Sequence, residues 1–228
     1  MPYAIAIDGP AGAGKSTIAR KLAERLSYVY LDTGAIYRTV AYHMSLMGVS
    51  PKDRDGVSRL IDDVNIKIHW SEDGKQHMLL NGMDVTGEIR SPEISMGASS
   101  VSAYPFVREV LLDLQRNVAK EENVIMDGRD IGTVVLPDAD LKVFLTASAA
   151  VRARRRCKEL EEKGTPVSFE SVLSDIEKRD EQDRNRPIAP LRCAEDGITV
   201  DSSEMNVEEV IDTIYRLAVE RIPELQKK

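Results

Sequence analysis

Two cysteines, one tryptophan and three phenylalanines are all that 228 residues hold of those types. Cys157 and Cys193 stand far apart and form no C-x-x-C pair. That argues against a disulfide framework and a structural zinc site, and fits a reducing compartment. His43, His69 and His77 show no metal-ligand spacing. Each is expected at the surface or partly packed. No apolar run approaches the ~20 residues of a membrane helix. No charged-then-apolar leader precedes the strand-like run Tyr3–Ile7. A cytoplasmic protein without membrane attachment is therefore expected. Excess positive charge is lacking as well. The net charge is -7, which disfavours nonspecific nucleic-acid binding. Arginines cluster locally, but no aromatic stacking run accompanies them, so no nucleic-acid partner is expected. Repeats and low-complexity tracts are also missing.

What is present alternates. Strand candidates are Tyr3–Ile7, Tyr28–Leu31, Val124–Met126, Leu141–Leu145 and Ile198–Val200. Helical stripes lie between and after them: Ile18, Leu22 and Leu26; then Val107, Val110, Leu111, Leu114 and Val118; then Val172, Leu173 and Ile176. A last stripe, Val207, Val210, Ile211, Ile214 and Leu217, follows an Asn206…Glu209 cap pattern. Strand alternating with helix predicts a parallel sheet covered on both faces. The stretch from Val64 to Thr86 breaks this rhythm. Its period-two pattern and its Asp73-Gly74 and Asn81-Gly82 turns predict three short antiparallel strands. Trp70 is expected to pack inside them.

The run Asp8-Gly9-Pro10-Ala11-Gly12-Ala13-Gly14-Lys15-Ser16-Thr17 fits G-x-x-x-x-G-K-[ST] between a strand and a helix. Glycines let backbone N–H groups converge on phosphate oxygens, and the helix that follows adds its positive end. Lys15 is expected to reach the β- and γ-phosphates. The Ser16 hydroxyl is expected to ligate Mg²⁺, and Thr17 to open the helix. Together Gly9 to Thr17 are expected to bind a nucleoside triphosphate, ATP, against the alternative of a glycine-rich structural turn. The chain has no Asn-Lys-x-Asp guanine reader, which argues against a GTPase.

Val124-Ile125-Met126-Asp127-Gly128-Arg129-Asp130 repeats the logic of a strand running into a glycine loop. Loops at the carboxyl ends of parallel strands line the ligand crevice. Asp127 is expected near Mg²⁺ through its water shell, Arg129 on a phosphate, and Asp130 on a base or sugar. An ordinary surface turn fits the same residues. Leu31-Asp32-Thr33-Gly34-Ala35-Ile36-Tyr37-Arg38 ends another strand, and Asp32 or Thr33 also reads as a helix cap. A third cluster is basic: Arg152, Arg154, Arg155 and Arg156, then Arg179, Arg184, Arg186 and Arg192. These could hold a phosphoryl group, or form a solvated face paired with Glu159, Glu161, Asp180 and Asp183.

Taken together, I-D-G-P-A-G-A-G-K-S-T, L-D-T-G-A-I-Y-R, N-G-M-D-V-T-G-E-I-R, M-D-G-R-D-I-G-T-V-V and R-D-E-Q-D-R-N-R resemble the bacterial cytidylate kinases. The resemblance covers nearly the whole chain. It implies an α/β P-loop kinase with a five-stranded parallel sheet, a small antiparallel β insert and a helical lid. The implied division is a core of 1–32, 101–148 and 187–228, a monophosphate-binding region of 33–100 with its insert at about 63–100, and a lid at 149–186. It implies transfer of the ATP γ-phosphoryl group to CMP or dCMP by a monomer using Mg²⁺. Thr33, where many relatives carry serine, would lie near the cytosine. Ser99, Arg108 and Asp130 would read the base. Arg38, Arg129 and Arg186 would hold the monophosphate. Arg179 and Asp183 would lie near the ribose, with Tyr37 packing beside it. Lys15, Arg129, Arg186 and the lid residues Arg152 and Arg155 would act on the transferring group. Two other readings compete: a different small-molecule P-loop kinase of the shikimate type, and a non-catalytic nucleotide-binding regulator.

Overall fold

The protein is described by a computed structural model covering residues 2–162 and 164–227. Its first half runs β1 (Ala4–Asp8), α1 (Lys15–Leu26), β2 (Val29–Asp32), α2 (Thr33–Leu46) and α3 (Arg54–Leu60). There follow β3 (Ile66–Trp70), β4 (Gln76–Leu80), β5 (Met83–Asp84), α4 (Pro92–Val101) and α5 (Pro105–Glu121). The second half runs β6 (Val124–Gly128), a π turn at Ile131–Val135, β7 (Leu141–Thr146), α6 (Ala149–Glu162), α7 (Phe169–Asn185), β8 (Ile198–Asp201) and α8 (Val207–Arg221).

Five strands form one sheet in the order β2-β6-β1-β7-β8. All four pairings are parallel. A fully parallel sheet needs both faces covered, and β1 shows how that is done. Its residues are buried throughout. Ala4 and Ala6 pack into one cluster with α2, α5 and the insert. Ile5 and Ile7 pack into another with α1 and α8. The sheet thus separates two cores. A third, small cluster of Ala153, Val172 and Ile176 holds α6 against α7.

Local sequence explains the ends of the elements. Asp32 caps α2 by accepting the Ala35 N–H at 3.0 Å. Ser91 caps α4 ahead of Pro92. Asn206 and Glu209 form the reciprocal capping box at α8. Asn81 and Gly82 both take positive φ, 51° and 86°, in the turn from β4 to β5, the conformation that a tight hairpin requires. β3, β4 and β5 form a separate antiparallel sheet, as the turn residues predict.

Two stripes need correction. Val110 and Val207 are exposed. On α5 the buried face carries Arg108 and Gln115 beside Val107 and Leu111. Arg108 takes an inward position because it lines the cleft described next, and Gln115 turns its amide back onto the Leu111 carbonyl.

Candidate active site

The carboxyl ends of β1, β2 and β6 open into one cleft of about 610 Å³. The loop after β1 forms its floor. Gly9 sits at φ 151°, Gly12 at 74° and Gly14 at 86°. α1 opens at Lys15, capped by Gly14, two residues before the expected Thr17, so the helix N-terminus faces the cleft. The Lys15 ammonium is buried and donates to the Pro10 carbonyl at 2.8 Å. Burial, then the neighbouring Arg129, pushes its pKa down from the usual lysine range. Ala11 and Thr17 line the cleft, whereas Ala13 faces a second cavity behind the loop.

Beside the loop, Ser16 Oγ donates to Asp127 Oδ2 at 2.9 Å. The Tyr30 hydroxyl donates to Asp127 Oδ1 at 2.8 Å. Burial, helped by the charge of Asp32, raises the Asp127 pKa above the carboxylate range. Asp8 is also buried. It accepts the backbone N–H groups of Ile131 and Gly132. Burial outweighs those two bonds and moves its pKa up to about 6.

The other end of the cleft is a charge network. The Asp130 carboxylate pairs with Arg108 and, at 3.0 Å, with Arg186. The Arg108 guanidinium lies 5.6 Å from the Tyr37 ring centroid, within cation–π range. Arg129 donates to Asp183 at 2.7 Å. Arg38 pairs with Asp32 at 2.7 Å. Thr33 Oγ1 donates to the Asp127 carbonyl at 2.7 Å, which leaves its oxygen free to accept. Ser99 and Arg179 line the same cleft. Residues from all five sequence motifs therefore meet around one space, with the phosphate loop and Asp127 at one end and the arginine network around the buried Asp130 at the other.

A family model described as cytidylate kinase matches residues 5–220. The chain belongs to the cytidylate kinase family. It is 53% identical over 213 residues to the cytidylate kinase of Carboxydothermus hydrogenoformans, covering 93% of this chain and 96% of that protein. It is 50% identical over 213 residues to the cytidylate kinase of Caldicellulosiruptor bescii, covering 93% and 94%. Among solved structures, an uncharacterized protein from Eubacterium ventriosum shares the fold. Its TM-score is 0.51 at 16% identity, over 96% of this chain and 99% of that one.

In this cytidylate kinase family member the arginines of α6 divide their work. Arg152 is buried, pairs with Asp180, and donates to the Ala11 carbonyl at 2.8 Å and the Ala147 carbonyl at 2.9 Å. Arg155 donates to the Ser202 carbonyl at 2.6 Å, beside the second cavity of about 490 Å³. Neither lines the main cleft, whereas Arg156 and Arg179 do.

Sequence reasoning assigned no role to Arg90, which lines the cleft, to Tyr30, or to Asp8 beyond its motif. Only Arg90 and Asp8 carried a signal, since both stand inside motifs. Tyr30 reads as an ordinary strand residue. One bland reading needs correction, since His43 is buried. Trp70 packs as expected, and its indole also donates to the Tyr30 carbonyl at 2.9 Å.

Proposed function

We propose that the chain transfers the γ-phosphoryl group of ATP to CMP or dCMP, giving ADP and CDP or dCDP. The observation that carries this reading is the buried Asp130 carboxylate, held between Arg108 and Arg186 in the same cleft as Lys15. Family membership supports the reaction type. The acceptor region is 33–100 with its insert, the lid is 149–186, and the remainder is the core. The enzyme works as a monomer in the cytoplasm. No helix of the described residues is long and apolar enough to cross a membrane.

The acceptor phosphate is already ionised at neutral pH, so no base is required. The barrier lies in bringing two anions into line, and the enzyme's work is positioning and charge neutralisation. The backbone of Gly9 to Gly14 and the Lys15 ammonium bind the triphosphate. Arg38, Arg129 and Arg186 hold the monophosphate. Arg179 and Asp183 lie along the ribose, with Tyr37 beside it. Lys15, Arg129 and Arg186 also act on the transferring group, and Arg152 and Arg155, which do not line the open cleft, reach it as the lid closes.

Ser16 and Asp127 present two oxygens beside Lys15. That donor set fits Mg²⁺, which takes one or two protein oxygens and completes its shell with phosphate and water. Ser16 directly and Asp127 through water would hold it. When bound, Mg²⁺ neutralises charge on the β- and γ-phosphate oxygens.

Cytosine is chosen by hydrogen bonds. Asp130 and the Thr33 hydroxyl oxygen accept from its amino group, while Arg108 and Ser99 complete the base site. Uracil presents a carbonyl there, which leaves buried polar groups unpaired.

An ADP-release assay with ATP and Mg²⁺ tests this against CMP, dCMP, UMP, AMP, GMP, shikimate and no acceptor. The expected order is fast turnover with CMP and dCMP, slow with UMP, and near zero without acceptor. A flat response across the panel overturns the acceptor assignment. Selective turnover of shikimate transfers the site to another P-loop kinase.

A further inference from the structure

The parallel sheet ends at β2, with no strand on its far side among the described residues. Backbone groups on such an edge face water or invite another strand. Here side chains from the antiparallel insert take that place. The Gln76 Oε1 accepts from the Asp32 N–H at 2.7 Å. Its Nε2 donates to the Asp32 carbonyl at 3.3 Å. One amide thus copies the donor and acceptor pair of a neighbouring strand. Trp70, which faces Gln76 across β3 and β4, makes the parallel contact to the Tyr30 carbonyl. A further Gln76 Nε2 contact, to Met78 Sδ at 3.1 Å, fixes the amide from its own strand.

Asp32 is an active strand end. One carboxylate oxygen caps α2 at Ala35, and the other holds the Arg38 guanidinium at 2.7 Å. Arg38 lines the cleft. Its Nε is buried with no hydrogen-bond partner among the described residues, so the Asp32 contact sets its direction.

We propose that Gln76 is a positioning residue for the acceptor's phosphate. By clamping the Asp32 backbone it fixes the carboxylate that aims Arg38. The inference rests on the reading that Arg38 holds a nucleoside monophosphate. It gives the insert a role in acceptor binding through a residue that touches no substrate. Because Arg38 holds the phosphate in the ground state and the transition state alike, misaiming it weakens binding without slowing the bound complex.

The test is steady-state kinetics of Gln76→Leu in the full chain. KM for CMP should rise roughly threefold to tenfold, the factor one net hydrogen bond is worth. The kcat and the KM for ATP should stay within about twofold, since the change acts on acceptor binding alone. In an Arg38→Ala background the same substitution should add nothing further to KM. A merely structural role lowers the melting temperature and moves KM equally in both backgrounds, and that result overturns the proposal. Gln76→Glu retains the side-chain length and the bond from Asp32 N–H. It sets a carboxylate oxygen against the Asp32 carbonyl in place of the amide donor, so it should also raise KM, and it serves as the folded variant if leucine is not tolerated. Wild-type turnover of CMP is the control. Its absence overturns both readings, whereas its presence with unaltered KM in the folded Gln76 variants overturns this one alone.

Discussion

Asp8 holds Ile131 across 123 positions of sequence, its Oδ1 accepting the Ile131 N–H at 2.8 Å. Oδ2 accepts from Gly132 at the same distance. The residue before the phosphate loop is thereby tied to the residues after Asp130. One carboxylate couples the two ends of the cleft.

Asp8 also sets a pH dependence of stability. Its folded pKa, about 6, lies above the 3.8 of an unperturbed carboxyl. The native state therefore takes up a proton on acidification before the unfolded chain does. This contribution is fully present below about pH 4 and is lost as pH rises through 6. Its size is on the order of 3 kcal/mol at most. Asp127 acts in the same direction and Lys15 in the opposite one, so the comparison that isolates Asp8 is with Asp8→Asn: urea unfolding at pH 5.0 and pH 7.5 should favour the lower pH less in the variant than in the wild type. An equal pH difference in both proteins rejects the assignment.

Asp130→Asn should narrow the preference for CMP over UMP by roughly tenfold or more, the worth of hydrogen bonding to a charged group. It should also lower stability, because Arg108 and Arg186 lose their shared anion. The check is kcat/KM for both nucleotides together with a denaturation midpoint. An unchanged ratio withdraws Asp130 as the base reader.

Arg129→Ala should lower kcat by roughly 10³–10⁵, the scale of an arginine acting on a transferring phosphoryl group. KM for ATP should change little, since Lys15 and the loop backbone remain. Single-turnover kinetics separate the chemical step from product release. A loss below about tenfold places Arg129 outside the phosphoryl site on that same scale.

The loop glycines should differ in tolerance. A Cβ at Gly9 would run into the backbone carbonyl of Leu145, whereas one at Gly14 meets nothing within 4 Å. Gly14→Ala should cost only the left-handed strain of ~1–2 kcal/mol. Gly9→Ala should cost more, because β7 must shift. Urea midpoints of the two variants decide this, and equal losses contradict it.

The phosphate loop was legible because its signal is local: strand, glycines, lysine and helix stand in one short window. The three insert strands were legible for the same reason, from their turn residues. Contacts such as Tyr30 to Asp127 and Gln76 to Asp32 were not, because each depends on how distant segments are brought together. Periodicity failed at Val110 for a related reason. Arg108 and Gln115 occupy the inward face of α5, and a hydrophobic stripe does not register polar residues buried beside a site. The split among the lid arginines was equally invisible, since four near-adjacent arginines share one composition and differ only in where α6 points them.

The separation of two cores by the sheet has an engineering consequence. Ala4 and Ala6 belong with the side that carries α2 and α5, and Ile5 and Ile7 with the side that carries α1. Libraries aimed at a new acceptor base can be confined to the alanine side. The packing beneath the phosphate loop is then left untouched, and Asp8, which ties that loop to Ile131 and Gly132, is the position to hold fixed.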